Sequence, residues 1–416
     1  MKYTDFSWDF RKANTKQTTH CFHTYPAMMI PQIAEKLLTK YGQGSQTLFD
    51  PYCGTGTSLV EANIKDINAI GTDLNPLARL IAKAKTTELD IQVLNLYLKD
   101  FNDFAFQFRI KIKENNKSIV LPDFKNIDFW FNKTAQQKLS VIKSFIDNIQ
   151  HHEIKQFFLI AFSETIRESS LTKKGEFKLV RMPEETREAF NPDCFGIFLS
   201  KLSRNKQGLV EFSKIKLNGA TSMIKDFNSV NGIPNSEIDD ESIDIVVTSP
   251  PYGDSRTTVA YGQYSRLSNQ WMGIEDANQV DNNLMGGNKT TDKKIDQSPA
   301  LNQTIEKIAK QDNKRAKEVL SFFVDYKNSI DNVSQKLKVN KHSCYVVGNR
   351  TVKGIQIPMH EITKDFYESN GFTHKETIIR NIPNKRMPLK NSPSNVRGRK
   401  SSTMKQEYIV VMQKTK

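Results

Sequence analysis

The chain has 416 residues, with 60 Lys and Arg against 46 Asp and Glu, a formal net charge of +14 and 38% hydrophobic residues. This composition is typical of a water-soluble globular protein of two or three domains, and the surplus of basic residues favours an acidic partner such as nucleic acid. No run of eighteen apolar residues occurs and the first ten residues are mixed, so we expect neither a membrane span nor a secretory signal. The four cysteines lack metal-site spacing, so we expect no zinc site, no disulfide framework and a reducing cytoplasm.

The first part of the chain alternates between predicted helices and strands. The predicted elements are a helix over 31–40, a strand over 47–50, a helix over 58–64, a strand over 68–72 and a helix over 77–85. A glycine turn follows the first strand, and an acid ends each strand, which is typical of a βαβ unit. The pattern lapses over 88–214, where helical stretches at 135–149 and 154–169 predict an inserted, mainly helical domain.

The alternation returns after residue 215. The predicted elements are strands over 220–225 and 243–247, a helix over 317–337, a strand over 343–348, a helix over 359–369 and strands over 372–379 and 407–413. We therefore expect residues 1–87 and 215–416 to form one α/β domain, a doubly wound, mostly parallel sheet whose last strand is antiparallel. The polar, Gly- and Asn-rich segment 253–313 predicts a long loop or set of loops.

Residues 50–57, Asp-Pro-Tyr-Cys-Gly-Thr-Gly-Thr, form the glycine turn at the end of the first strand. Gly54 and Gly56 let the backbone approach a ligand closely, at the strand ends where open α/β sheets bind ligands. Asp73 ends the next strand, at about the spacing from which a carboxylate holds a ribose, and Asp226 follows a third strand, where it can accept from an adenine amino group. The plainer alternative for these acids is a role as helix caps or turn residues.

Two other nucleotide-binding patterns fit this turn less well. The dinucleotide fingerprint requires a glycine at position 59, where the chain has Leu59. No phosphate-binding lysine follows the turn, which excludes a P-loop.

The segment 248–252, Thr-Ser-Pro-Pro-Tyr, follows a buried strand and is the second informative motif. Two prolines make a stiff turn with outward carbonyls and no N–H to donate. Ser249 Oγ and the Pro250 carbonyl can then accept the hydrogens of an exocyclic amine, while Tyr252 offers a ring to stack on an extruded base. Positioning of this kind needs neither a metal nor a covalent nucleophile. Taken alone, the motif also fits a rigid turn without function.

Together the two motifs resemble those of the amino-methyltransferases of bacterial restriction–modification systems. Segment 20–27 is similar to their segment over the methionine moiety of the cofactor, and 385–412 is similar to the closing segment of the N4-cytosine enzymes. The resemblance implies a Rossmann-like fold, S-adenosyl-L-methionine as cofactor, and methyl transfer to the N4 of cytosine in double-stranded DNA by base flipping. An initial Ser is usual for N4-cytosine enzymes; N6-adenine methylation by the same pocket stays open. A cognate restriction endonuclease is the implied functional partner.

The resemblance and the motifs together name the candidate residues. The cofactor-binding candidates are His23, Tyr25, Pro26, Asp50, Pro51, Tyr52, Gly54, Thr55, Gly56, Thr57, Asp73, Leu74, Asp226 and Phe227. The catalytic candidates are Ser249, Pro250, Pro251 and Tyr252, with no metal. The DNA-contacting candidates are Arg256, Tyr261, Tyr264, Arg266, Lys385, Arg386, Arg397, Arg399 and Lys400.

The position of the target-recognition region stays open, because many Ser-Pro-Pro-Tyr enzymes have the two motifs in the reverse order. The region 88–214, the loop after Tyr252 and the basic C-terminal loop are all candidates, and Arg181 and Arg187 are candidates to read guanine edges. Two further alternatives are an RNA guanine-N2 methyltransferase, which usually has Asp or Asn before Pro-Pro, and a nucleic-acid-binding protein without catalysis. We expect a cytoplasmic monomer or weak dimer.

Overall fold

A computed structural model describes residues 1–111, 120–216, 219–252, 261–274, 284–287, 290–292, 294–382, 390–391, 401–402 and 404–416. Its strands are β1 (Lys2–Thr4), β2 (Thr47–Asp50), β3 (Asn68–Thr72), β4 (Ser222–Lys225), β5 (Ile243–Thr248), β6 (Leu337–Val347), β7 (Thr351–Val352), β8 (Ile355–Gln356), β9 (Phe372–Asn381), β10 (Lys390–Asn391), β11 (Ser401–Ser402) and β12 (Gln406–Lys414). Its helices are α1 (Pro31–Tyr41), α2 (Thr57–Ile64), α3 (Pro76–Thr86), α4 (Ile91–Lys111), α5 (Ile127–Trp130), α6 (Lys133–Asp147), α7 (His152–Ser169), α8 (Glu184–Glu188), α9 (Cys194–Ile215), α10 (Tyr261–Trp271), α11 (Pro299–Ala309), α12 (Asn313–Lys336) and α13 (Met359–Glu368).

Eight strands form the central sheet, in the order β1-β9-β12-β6-β5-β2-β3-β4. Strand β2 pairs in parallel with β3 and β5, β5 pairs in parallel with β6, and β12 runs antiparallel to both β6 and β9. The predicted fold, a doubly wound α/β sheet with an antiparallel last strand, is therefore confirmed. From β2 the chain continues outward through β3 and β4, and from β5 it continues outward through β6 on the other side. The adjacent carboxyl ends of β2 and β5 thus lie at a switch point, where such sheets bind ligands.

Successive residues of the inner strands are buried on opposite faces of the sheet. In β2, Leu48 packs with α1 and α2, while Phe49 packs with α12 and α13. In β5, Ile245 and Val246 divide between the same two clusters. Because both faces are covered by helices, the central residues of these strands are apolar on both sides, as in other parallel strands.

The helices α4 to α9, over 91–215, form the mainly helical insertion. Their core contains a group of packed phenylalanines, of which Phe101, Phe158 and Phe198 are fully buried. The same cluster includes Phe22 near the N-terminus and Trp271 at the end of α10. The insertion therefore shares a core with the segments next to it, and the boundary of a separate 88–214 domain stays a prediction.

Two sequence predictions of local structure need correction. Part of 253–313 is helical, because α10 and α11 fall within it. In α10, Tyr264, Leu267 and Trp271 are buried at helical spacing, and in α11 the Ser298 hydroxyl caps the first turn. Neither helix was predicted, because the buried positions lie among polar residues. The short edge strand β1, which pairs with β9, was also not predicted. Among the described helices, none is long and apolar enough to cross a membrane.

Candidate active site

A cavity of about 970 Å³, including its open mouth, lies at the carboxyl ends of β2, β3, β4 and β5. Of the predicted cofactor residues, it is lined by Tyr25, Pro26, Asp50, Pro51, Tyr52, Gly54, Thr55, Thr57, Asp73, Leu74 and Phe227. Of the predicted catalytic residues, it is lined by Ser249 and Pro251. The two motifs, far apart in the chain, therefore share one cleft.

The glycine turn explains why both of its glycines are needed. Gly54 and Gly56 have φ of +49° and +74°, in the left-handed region that favours glycine. A Cβ on Gly56 would lie 3.0 Å from Ala82 Cβ of α3, so this glycine serves packing and does not line the cavity. Gly54 has open space where its Cβ would be. Between them, Thr55 is buried, and its hydroxyl has no hydrogen-bond partner among the described residues.

Asp73 is held at the edge of this turn by backbone donors. Its carboxylate accepts from the Gly54 N–H at 3.1 Å and the Asn75 N–H at 2.7 Å. Burial raises the pKa of Asp73, and the two hydrogen bonds and the Arg79 charge oppose this effect. Since a carboxylate has about four acceptor positions, two remain available for a ligand.

Asp50 joins the two motifs directly. Its buried carboxylate accepts from the Tyr52 N–H of its own turn at 3.0 Å and from the Ser58 hydroxyl in the first turn of α2. It also accepts from the Thr248 hydroxyl, at the end of β5, at 2.5 Å. Burial raises the pKa of Asp50 to about 6, and these hydrogen bonds oppose the rise. Asp50 thus holds the glycine turn against the Ser-Pro-Pro-Tyr turn.

In the Ser-Pro-Pro-Tyr turn, residues 249–252, neighbouring groups set the direction of the Ser249 hydroxyl. Ser249 Oγ donates to the Val346 carbonyl of β6 at 3.1 Å and lies 3.1 Å from the Tyr252 hydroxyl. A hydroxyl has one proton and two lone pairs, so Ser249 faces the cavity as an acceptor. Pro250 is buried behind the turn and does not line the cavity.

Tyr252 is supported by a chain of polar contacts behind the turn. Its hydroxyl donates to Glu407 Oε1 at 3.3 Å, and Glu407 in turn accepts from Arg380. Burial, with the Glu407 charge, raises the pKa of Tyr252 well above its usual value, so the phenol stays protonated. The ring lies against Gly348, where a Cβ would be only 2.8 Å from Tyr252 Cδ2.

The helical insertion holds the segment that carries Tyr25. Glu164 of α7 accepts from the Thr24 N–H at 2.8 Å and from Arg204 of α9 at 2.5 Å. Arg204 also donates to the Phe22 carbonyl at 2.8 Å. These contacts were not predicted; a glutamate within the apolar face of a predicted helix was the signal that could have indicated them.

Two aromatic residues complete the wall of the cavity on this side. The Tyr25 ring stacks on Tyr261 with centroids 5.8 Å apart, and its hydroxyl accepts from Asn75 Nδ2 at 2.8 Å. His23 is buried beside them, 3.0 Å from the Ser163 hydroxyl, and burial lowers the pKa of His23 to about 4. His23 therefore supports this wall and does not line the cavity itself.

Several predicted residues lie elsewhere. Asp226 is exposed and does not line the cavity; Asn228, two residues later, does. Tyr264, predicted to contact DNA, is buried, and its hydroxyl donates to the Thr24 carbonyl at 3.1 Å, so it is a packing residue. Arg266 is half-buried, and Tyr261 lines the cavity. The remaining candidates lie outside the described residues, namely Arg256, Lys385, Arg386, Arg397, Arg399 and Lys400.

Comparison with known proteins identifies the family. The chain is 41% identical over 422 residues to the type II methyltransferase M.MvaI of Kocuria varians. The alignment covers 97% of this chain and 92% of that protein. The chain belongs to the type II methyltransferases. A family model described as the RMKL-like methyltransferase domain, UPF0020, matches residues 19–116, which contain the glycine turn and Asp73.

Two more distant relatives also match this type II methyltransferase. M.MjaII of Methanocaldococcus jannaschii is 30% identical over 183 residues, 42% of this chain and 33% of that protein. M.BsoBI of Geobacillus stearothermophilus is 22% identical over 268 residues, 58% of this chain and 50% of that protein. Among solved structures, the rRNA methyltransferase AviRa of Streptomyces viridochromogenes matches 94% of this chain and 88% of its own, with a TM-score of 0.33 and 10% identity, which is too low to bear on fold or substrate.

Proposed function

We propose that this type II methyltransferase transfers a methyl group from S-adenosylmethionine to the exocyclic N4 of a cytosine in duplex DNA, as the modification enzyme of a restriction–modification system. The observation that carries the proposal is the shared cleft, in which the glycine turn and the Ser-Pro-Pro-Tyr turn line one cavity. The net charge of +14 and the names of the relatives support DNA as the substrate.

The cavity fits S-adenosylmethionine, because its polar groups are placed where that ligand has partners to offer. The Thr55 hydroxyl is buried without a partner among the described residues, and the Asp73 carboxylate keeps two acceptor positions, which suit the methionine and ribose moieties. Leu74 and Phe227 provide apolar walls for an adenine ring. We assign the edge of the adenine to Asn228, which lines the cavity, in place of the exposed Asp226. When bound, the cofactor supplies a methyl group on a sulfonium sulfur, a good leaving group.

The catalytic turn would act by orienting the target amine. Because the Ser249 proton is donated to Val346, the oxygen can accept a hydrogen from the amine and direct the nitrogen lone pair into the cavity. Pro251 stiffens the same wall. A paired base is out of reach inside the duplex, so this arrangement requires the target nucleotide to swing out of the helix. The initial Ser of the motif favours cytosine N4 over adenine N6.

The test is direct. The purified protein is incubated with isotopically labelled S-adenosylmethionine and unmethylated genomic DNA, and the nucleosides are identified by mass spectrometry. We expect labelled N4-methylcytosine, and none with an Asp73→Ala variant, because loss of the carboxylate removes the proposed ribose contact. Labelled N6-methyladenine would replace the cytosine assignment by the adenine one. Label in RNA alone would overturn DNA as the substrate.

A further inference from the structure

A hairpin-like segment projects from the helical insertion. Residues 171–182 run out and back, with the Met182 N–H donating to the Leu171 carbonyl at 2.8 Å and the Lys173 N–H to the Val180 carbonyl at 2.7 Å. An isolated antiparallel bridge joins Thr172 and Arg181. We call residues 173–180 at its end the basic finger.

The basic finger exposes cations together with apolar side chains. Lys173, Lys174 and Lys178 are exposed, against a single acid, Glu176, which is 3.9 Å from the Lys173 ammonium. Phe177 and Val180 of the same finger are 40% and 41% exposed. An ion pair so exposed and so long neutralises little of the charge, so the tip presents a net positive surface.

The finger is fixed to the helix that follows the catalytic turn. The Arg167 guanidinium donates to the Glu176 and Phe177 carbonyls at its tip and lies 4.1 Å from the Tyr264 ring centroid of α10. The Phe177 ring itself packs edge-on against Tyr264, with centroids 6.3 Å apart. These contacts therefore hold the finger against α10.

This attachment places the finger beside the cleft. Tyr264 is three residues after Tyr261, which lines the cavity, so about one helical turn, or roughly 5 Å, separates them along α10. Phosphates on one DNA strand are spaced about 3.4 Å apart per base pair along the axis. With a nucleotide inserted into the cavity, the phosphates of the nucleotides a few positions along the strand would lie near these lysines.

We propose that the basic finger is a duplex-DNA contact of this enzyme, in which Lys173, Lys174 and Lys178 bind phosphates next to the extruded nucleotide. This inference rests on the proposed function. It also revises which basic residues of the insertion face DNA. Arg181 lies 4.0 Å from the Phe129 ring centroid and Arg187 is mostly buried beside Glu184, so both take part in packing.

The test measures the salt dependence of DNA binding, because contacts with phosphates displace counterions whatever the sequence. A fluorescein-labelled 30-base-pair duplex of arbitrary sequence is titrated with wild type and with the triple variant Lys173→Ala, Lys174→Ala, Lys178→Ala. We expect duplex affinity to fall at least about tenfold, and the slope of log K against log salt to fall by up to about 3, roughly one for each lost contact. The triple Lys→Arg variant should keep both values, since it keeps the charge.

A matched control removes the same charge elsewhere. Lys307, Lys310 and Lys314 are exposed on α11, α12 and the segment between them, and these helices pack on the opposite face of the sheet from α3. Their triple alanine variant should bind the duplex with a slope near that of wild type. S-adenosylhomocysteine affinity, measured by calorimetry, should be unchanged in both alanine variants.

The outcomes separate this inference from the proposed function. Equal duplex affinity and slope in the finger variant and wild type, or an equal loss in the control variant, would overturn the finger as a DNA contact. A wild-type enzyme that methylates no DNA in the mass-spectrometric assay would overturn the proposed function instead.

Discussion

The hydroxyl of Ser249 illustrates how a single hydrogen bond sets the chemistry available at a site. Because its proton is directed at the Val346 carbonyl of the neighbouring strand, the oxygen presents lone pairs to the cavity. An acceptor in this place suits an amine, which needs its hydrogens held, and does not suit a carbonyl. The serine therefore depends on β6 for its role, and the motif alone does not contain that information.

We predict that Ser249→Ala lowers turnover about 10- to 100-fold while S-adenosylhomocysteine affinity stays within about twofold. The loss corresponds to about 1.4 to 2.8 kcal/mol of transition-state stabilisation, the size of one well-placed hydrogen bond. Single-turnover methylation and calorimetry measure the two quantities. Ser249→Thr, which keeps the hydroxyl, should retain more activity than Ser249→Ala. Unchanged turnover in Ser249→Ala would remove this residue from the site.

The sequence placed a residue at the cavity correctly where its position depends on neighbours in the chain, and not where it depends on distant ones. Gly54 and Asp73 were found because the spacing of turn and acid reports the βαβ unit itself. The role of Asp50 in joining the two turns was not predictable, because its partner Thr248 belongs to another strand. Asp226 has the expected spacing but is exposed, since only the residues after it turn into the cavity.

At the scale of elements, α7 and α9 hold the segment that forms one wall of the cavity. Glu164 links the two helices through Arg204 and binds the Thr24 backbone, one residue before Tyr25. Burial of Glu164 favours its neutral form, yet its neighbours His23, Arg204 and Lys201, in that order, hold the pKa of Glu164 below its usual value. The carboxylate is therefore ionised at neutral pH, and its bonds are charge-assisted and stronger than neutral ones.

We predict that Glu164→Gln weakens S-adenosylhomocysteine binding about 5- to 20-fold and lowers the free energy of unfolding by about 2 kcal/mol. The amide keeps the shape of the carboxylate but leaves Arg204 without its charge partner. Because Arg204 is partly exposed, solvent limits the cost. Glu168→Gln, one turn further along α7 and half-exposed beside Lys201, is the matched control. Calorimetry with a binding stoichiometry near one separates altered affinity from a misfolded fraction. Wild-type affinity in Glu164→Gln would mean that the contacts of Glu164 with Thr24 and Arg204 stabilise the fold without affecting ligand binding.

Elements with strong apolar periodicity were predicted to within a few residues, such as β5 and α12. Helices α10 and α11 were not, because their buried positions are few and lie among polar residues typical of loops. Both helices are stabilised by tertiary packing, which the local sequence reports weakly. The three-residue strand β1 gives even less signal, since its partner β9 lies some 370 residues away in the chain.

For the whole molecule, the predicted doubly wound sheet was enough to expect both motifs at strand ends, beside a common cavity. Successive strands are added to the sheet in one direction from β2 and in the opposite direction from β5. This arrangement brings the two motifs together whatever the loops between them contain. The packing of the helical insertion was not predictable, because it depends on contacts between its apolar faces and segments before and after it. One consequence is that the cavity lies where three core clusters meet, through Tyr25, Cys53 and Phe227.

We therefore predict that the insertion and the sheet unfold together and that a ligand in the cavity stabilises both. S-adenosylhomocysteine at about 100 times its dissociation constant should add about 2.7 kcal/mol, which shifts the melting temperature by a few degrees. Trp8 belongs to the α1–α2 side of the sheet and Trp271 to the cluster of the insertion, so each reports on a different core. Fluorescence melting of Trp8→Phe, which leaves Trp130 and Trp271 in the insertion, and of the double variant Trp130→Phe, Trp271→Phe, which leaves Trp8, should give one shared transition that the ligand moves. Asp73→Ala should show no ligand shift. An insertion signal in Trp8→Phe that melts separately and ignores the ligand would contradict this coupling and favour an independent helical domain.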